Sequence, residues 1–308
     1  MAYLAVWAAT GLAAKIFADV LRRAYGFDRP GFITSARRTI ETDLAYVIAY
    51  GIALLVVRAI GLDAALLVCI VLRGAALVGD RVVLPGNHSY LELYLAAVCL
   101  QLHQNPVALA AVLQVAAMAV WVLAAYQKLY QREYLNGTYY YFTLRTEGWR
   151  LGRWTSFVRE VPRVTGDYGQ VDPAALKFCR WMGAMVLVGE TVPPLLAFAL
   201  NGTVWSVVLL VGVALSVGLS SKETNFMITN LLLAAVFLVP FDAAAFRAAL
   251  GDPVVAVVVA LCAVWPFLHA SLARGLRVSS WKLAGWGMYA MHKPRIQVVL
   301  PGGELAPL

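Results

Sequence analysis

The sequence predicts an all-α integral membrane protein, a polytopic bundle of about nine transmembrane helices with no sizeable soluble domain. Three observations carry this reading. First, 61% of the 308 residues are hydrophobic and 14% charged, with mean hydropathy +0.73, against roughly half apolar and a quarter charged in an ordinary globular chain. Second, the apolar runs are long and evenly spread, which argues for one membrane domain rather than two soluble cores. Third, the basic residues are partitioned between alternate connections, as the positive-inside rule requires.

About 20 helical residues cross 30 Å of hydrocarbon. On that criterion the crossing segments fall at roughly 3–21, 44–60, 62–79, 88–103, 106–127, 176–200, 203–221, 225–241 and 254–272. Residues 1–272 then form the transmembrane domain, and 273–308 an interfacial, cytoplasmic tail. The first segment is the weakest, because Lys15 and Asp19 stand four apart within it. They pair on one helix face, or the segment lies flat in the interface. Without a basic start or a small-residue cleavage site, it reads as retained rather than as a removable signal.

Nine spans place 21 of the 25 Lys and Arg residues on one side, while the opposite connections hold only Arg247. The N-terminus is therefore expected outside and the basic loops in the cytoplasm, as for a bacterial inner membrane protein. The net charge of +8 sets topology and offers no basic face to nucleic acid. The long connection, about 128–175, carries Tyr139, Tyr140, Tyr141, Phe142, Trp149, Arg150, Arg153 and Trp154. It reads as an aromatic and cationic belt or as a roof over a cavity. In the tail, Trp281 and Trp286 are interfacial, and Arg295 to Leu300 reads as a short strand stopped by Pro301-Gly302-Gly303. The four cysteines lie singly in apolar runs, without a Cys-x-x-Cys pair.

Ionisable groups at membrane depth are costly and mark candidate sites. Glu190 lies some 14 residues into its span, about 20 Å deep at helical rise, and Pro193-Pro194 follow it. It is either a proton-handling or ligand-binding carboxyl or a paired structural acid. His88 and Glu92 are one turn apart at the start of the fourth span, and Lys128 ends the fifth on the same side. The two spans form a hairpin through Gln104-Asn105-Pro106, so these residues are expected to open onto a shared polar cavity. His103 and His269 are lone histidines near span ends, read as structural. No spacing of a zinc site, phosphate-binding loop or dinucleotide fingerprint occurs, so neither a metal nor a nucleotide is expected.

Two stretches resemble a known family. Asn87-His88-Ser89-Tyr90-Leu91 opens a span, and Lys128-Leu129 precedes Tyr134-Leu135-Asn136-Gly137. The first matches, and the second is similar to, signatures of the vitamin K-dependent γ-carboxylases and their bacterial relatives, the horizontally transferred transmembrane domain proteins. In the second stretch Tyr134 stands where the family has Trp, with a spacer one residue longer. Trp286-Gly287-Met288-Tyr289 is a weaker echo, and the resemblance covers about residues 40–295. It implies Lys128 as a catalytic base and His88 as its assistant. Tyr90, Glu92, Glu190 and Glu223 are expected around a quinol resembling vitamin K hydroquinone. A catalytic Lys128 must be neutral, which requires desolvation and no tight carboxylate partner; Glu92 and Glu223 are the acids expected to interfere.

The spans leave no room in these 308 residues for the family's large substrate-holding domain. Lys222-Glu223-Thr224-Asn225 lacks the family's histidine, and the charge bias puts the site on the cytoplasmic side. Carboxylation of protein glutamates is therefore not expected. Three functions stay open: an enzyme acting on a small or peptide substrate, a non-catalytic subunit or quinone-binding module of a larger membrane complex, and a partner in peptide maturation or export. The lipid bilayer is the common partner.

Overall fold

The computed structural model describes residues 3–24, 36–79, 87–131, 134–137, 140, 173–221, 224–265, 267–268 and 271. The side chains at 21–24, 36–45, 76–79, 87–89, 127, 130–131, 173–175, 218–221 and 224–226 fall outside this description. So do most of the aromatic and basic connection, Lys222, Glu223, His269 and the whole tail with its expected strand.

Among the described residues the fold is all-helical. Its elements are α1 (Tyr3–Ala24), α2 (Ala36–Ile60), α3 (Leu62–Gly79), α4 (Asn87–Leu102), α5 (Pro106–Gln131), α6 (Pro173–Ala199), α7 (Val204–Ser221), α8 (Thr224–Val236), α9 (Ala243–Ala249) and α10 (Pro253–Ala263). The α4–α5 hairpin turns through Gln104-Asn105-Pro106 as expected. Asn105 Oδ1 accepts from Ala108 N at 3.2 Å, and Pro106 occupies a first-turn position where its missing N–H costs nothing.

The weakest expected span is the hub of the fold. α1 packs against α2, α3, α4, α5 and α8. Its Ala5, Ala8, Ala9, Ala13, Ala14 and Ala18 are buried, and such small side chains let neighbouring backbones approach closely. At Gly11 even a Cβ would meet the Leu232 side chain at 2.6 Å. The interfacial alternative for this segment is thereby replaced by a central one.

Among the described residues, three helical stretches are long and apolar enough to cross a membrane: Tyr3–Val20, Pro106–Tyr126 and Leu176–Ala199. α9 and α10, bent by 110°, make a fourth if they form one broken span. This falls short of the nine expected crossings. The further apolar stretches, Tyr46–Ile60 in α2, Tyr90–Leu102 in α4, Val204–Val217 in α7 and Met227–Val236 in α8, each adjoin side chains that fall outside the description. The eighth expected span, 225–241, stops at Val236, and the connection expected after it contains α9. Asp242 caps α9 by accepting from Ala244 N and Ala245 N at 2.9 and 2.8 Å. Asp252 caps α10 through Val254 N and Val255 N at 2.8 and 3.2 Å.

The end of α8 is held by its neighbours rather than by further helical turns. Gln114 Nε2 donates to Val236 O at 2.9 Å and Val239 O at 2.7 Å. Phe237 O accepts from Ser206 Oγ at 3.0 Å and from Gly202 N at 2.9 Å. Buried carbonyls that leave a helix must find such donors. On the outside, Val47, Ile48, Leu55, Trp181, Val188 and Trp205 are exposed. An apolar exterior of this kind suits lipid rather than water.

Candidate functional site

The chain buries two separate groups of charges. The first joins α5 to α6. Lys128 lies two residues past the apolar stretch of α5 and is 1% exposed, while Glu190, in the middle of α6, is 6% exposed. Lys128 Nζ makes a direct ion pair with Glu190 Oε2 and sits 5.3 Å from the centroid of the Tyr134 ring, a cation–π distance. Tyr140 meets Tyr134 edge-on at 5.7 Å.

The turn that brings Tyr134 under the amine is built onto α6. Gly137 has φ 81°, a left-handed conformation that costs glycine little. A Cβ there would stand 2.7 Å from Arg180 N and 2.9 Å from Leu176 O. On α6 itself, a Cβ at Gly183 would fall 1.8 Å from the Tyr134 carbonyl oxygen. Arg180 Nε donates to Asn136 O at 3.1 Å across the same contact. The Tyr134-Leu135-Asn136-Gly137 stretch therefore has a geometric meaning: it lays an aromatic ring beside Lys128 and ties the end of α5 to α6. Beyond Glu190, Pro193 and Pro194 lie within the helix and supply no N–H to the carbonyls of Gly189 and Glu190.

The second group joins α1, α3 and α4. Lys15 Nζ contacts Asp19 Oδ2 at 3.1 Å and pairs with Glu92 Oε1. Arg73 Nη2 contacts Asp19 Oδ2 at 2.6 Å and pairs with Glu92 Oε2. The four side chains form a closed ring of alternating sign, each no more than 5% exposed. Arg73 Nε has no hydrogen-bond partner among the described residues.

Glu190, not Glu92, is the carboxylate that meets Lys128. Glu92 is instead committed to Lys15 and Arg73, because the face of α4 that carries it is turned toward α1 and α3. Tyr90 is half-buried beside Tyr94, their ring centroids 6.4 Å apart. His88 belongs to the first turn of α4, but its imidazole lies outside the described residues, as does Glu223 altogether. The expected cavity shared by His88 and Lys128 falls there as well. An apolar void of about 10 Å³ lies between α4, α5 and α10, lined by Leu95, Val112, Ala116 and Val258 among others; neither Lys128 nor Glu190 borders it. His103 has Nδ1 at 3.1 Å from Leu100 O and Nε2 at 3.1 Å from Asp63 Oδ1. Among the described residues no three His, Cys, Asp or Glu side chains come together as metal ligands.

Sequence reasoning missed Arg73 as a site residue and read Tyr134 only as a letter of a motif. The signal for Arg73 was charge balance: two cations and two acids, Lys15, Arg73, Asp19 and Glu92, lie inside apolar segments of three neighbouring helices. Compared with known protein families, curated proteins and solved structures, the chain matches none.

Proposed function

We propose that this chain is a polytopic protein of the bacterial inner membrane, of the γ-carboxylase-like kind its motifs suggest. In this reading the shorter apolar helices complete a set of nine crossings, the basic connections face the cytoplasm, and the Lys128–Glu190 pair handles a proton for a membrane-dissolved quinol. The observation that carries it is the buried Lys128–Glu190 pair set beside the Tyr134 ring.

A buried amine and carboxylate in direct contact can exist as ammonium and carboxylate or, after one proton shift, as amine and carboxylic acid. Desolvation penalises the charged form of each partner and so favours the shift, while their mutual attraction opposes it. No net charge enters or leaves the bundle in either form. A tight carboxylate partner was expected to spoil Lys128 as a base, with Glu92 and Glu223 as the acids in question; in this reading Glu190 fills that place and is the group that takes the proton and frees the amine. A quinol, when bound, supplies an acidic hydroxyl and two reducing equivalents. Tyr134 and Tyr140 offer it aromatic edges and faces, Lys128 takes the hydroxyl proton, and Glu190 holds the proton already displaced. The substrate is a small molecule or a peptide.

The closed pairing, in which each charge meets its counter-charge, favours a second reading: a structural ion pair in a non-catalytic membrane subunit. Mass analysis of the lipids kept through mild-detergent purification separates the two. Quinone retained by the wild type and lost from Lys128→Arg and Glu190→Gln variants of normal helical content supports the first. Absence of quinone from the wild type, or equal content in all three, refutes it. Sidedness is tested by placing a cysteine at Thr146; strong labelling by an impermeant reagent outside intact cells would reverse the proposed orientation.

A further inference from the structure

We infer that the ring of Lys15, Asp19, Arg73 and Glu92 is a register lock, which sets the axial position of the central helix α1 rather than the strength with which it is held. The surface of α1 is made largely of small side chains. Its buried positions include Ala5, Ala8, Ala9, Ala13, Ala14 and Ala18, with Leu12 and Ile16 as the larger side chains. Helix packing fixes an axial position when bulky ridges enter grooves, and a surface of alanines has low ridges. Apart from the close approach of Gly11 to the Leu232 side chain, such a surface gives little hold on the axial level of the helix. A further element that specifies the level therefore counts.

The ring supplies it. Asp19 touches both Lys15 and Arg73, and Glu92 is paired with the same two cations. Two members lie on α1, one on α3 and one on α4. A slip by one helical turn moves Lys15 and Asp19 together by about 5.4 Å, breaks the two contacts that join α1 to its neighbours, Lys15 with Glu92 and Asp19 with Arg73, and leaves each charge with one partner instead of two in an apolar interior. Every slipped register is thereby penalised, whereas the correct one gains little over an apolar core of equal volume, because desolvation offsets the attraction. A buried polar element of this kind acts on specificity more than on stability. A second contact reports the register directly: Cys69 Sγ lies 3.5 Å from Ala13 O, between α3 and α1.

Cross-linking tests the inference. In a background where Cys99, Cys179 and Cys262 are replaced by alanine, single cysteines are placed along α1 from 6 to 20, leaving Lys15 and Asp19 in place. Oxidative cross-linking to Cys69 is then read at each position. With the ring intact the profile has one peak, in the turn containing Ala13. Replacing the ring by apolar residues (Lys15→Met, Asp19→Leu, Arg73→Met, Glu92→Leu) leaves thermal stability equal or higher and adds peaks one turn away. Reversing it (Lys15→Glu, Asp19→Lys, Arg73→Glu, Glu92→Lys) keeps the alternation of sign and restores the single peak. A single peak in the apolar variant, failure of that variant to fold, or failure of the reversed ring to give the single peak overturns the inference.

Discussion

Removing one partner of the Lys128–Glu190 pair exposes the other to a cost that depends on pH, and the two single variants depend on it in opposite senses. With both side chains almost fully enclosed, a charge left alone has one inexpensive escape, which is to neutralise by exchanging a proton with solvent. That escape sets a ceiling on the cost. In Glu190→Gln the lysine must lose a proton; from an ordinary value near 10.4 this costs about 4.6 kcal/mol at pH 7, at about 1.36 kcal/mol per unit. In Lys128→Met the glutamate must gain one; from an ordinary value near 4.3 the ceiling is about 3.7 kcal/mol. Both fall in the range of about 3 to 5 kcal/mol found when a buried pair is broken.

The Glu190→Gln deficit therefore shrinks as pH rises toward 10, where the free amine is readily neutral. The Lys128→Met deficit shrinks as pH falls toward 4.5, where the free acid is readily protonated. Lys128→Met with Glu190→Leu leaves no charge and recovers most of the loss at every pH. The assay is reversible unfolding in mild detergent at three pH values for the wild type, both single variants and the double variant. Two flat profiles of equal cost, or a double variant no better than the worse single one, would refute the enclosed ion pair.

Three further outcomes follow from the packing. Gly183→Ala drives a methyl group into the Tyr134 carbonyl, so it destabilises by about 1 to 3 kcal/mol and detaches the turn, visible as faster proteolysis between α5 and α6. Gln114→Leu strips the two donors from Val236 O and Val239 O, costing about 1 to 3 kcal/mol and speeding amide exchange around the end of α8. Arg73→Met leaves Asp19 and Glu92 with one cation between them, and its thermal stability is expected to fall well below that of the fully apolar ring.

How much of this was legible in the sequence depends on what each residue answered to. Helical segments followed from apolar runs and from the Asn105-Pro106 stop, which are local signals. The i,i+4 pairing of Lys15 with Asp19 was equally local and is present. What failed was the inference from those charges to a marginal segment: hydropathy scores a charge by itself, and the counter-charges of α1 sit on α3 and α4, 54 to 77 residues away in sequence. Glu190 was singled out by its depth, correctly as a buried group, but its partner was not read, because α6 follows a long connection that fixes no distance to Lys128. Glu92 was given to Lys128 on the strength of a shared end of a hairpin. The helix face, which decided the matter, is set by contacts with α1. The eighth span was drawn through Val239-Pro240 because the run stays apolar there; donors from Gln114 and Ser206, invisible to hydropathy, let the helix end early.

The unequal enclosure of the helices has a consequence for the surrounding lipid. Most of the crossing stretch of α5 is enclosed by other helices, while most of that of α6 is exposed. α6 therefore meets acyl chains along most of its length and carries Glu190 on the strip that does not. Disturbances of the acyl layer, in thickness or in order, are thereby felt first by the helix that holds the acid of the buried pair, while the helix that holds its amine is shielded from them by protein.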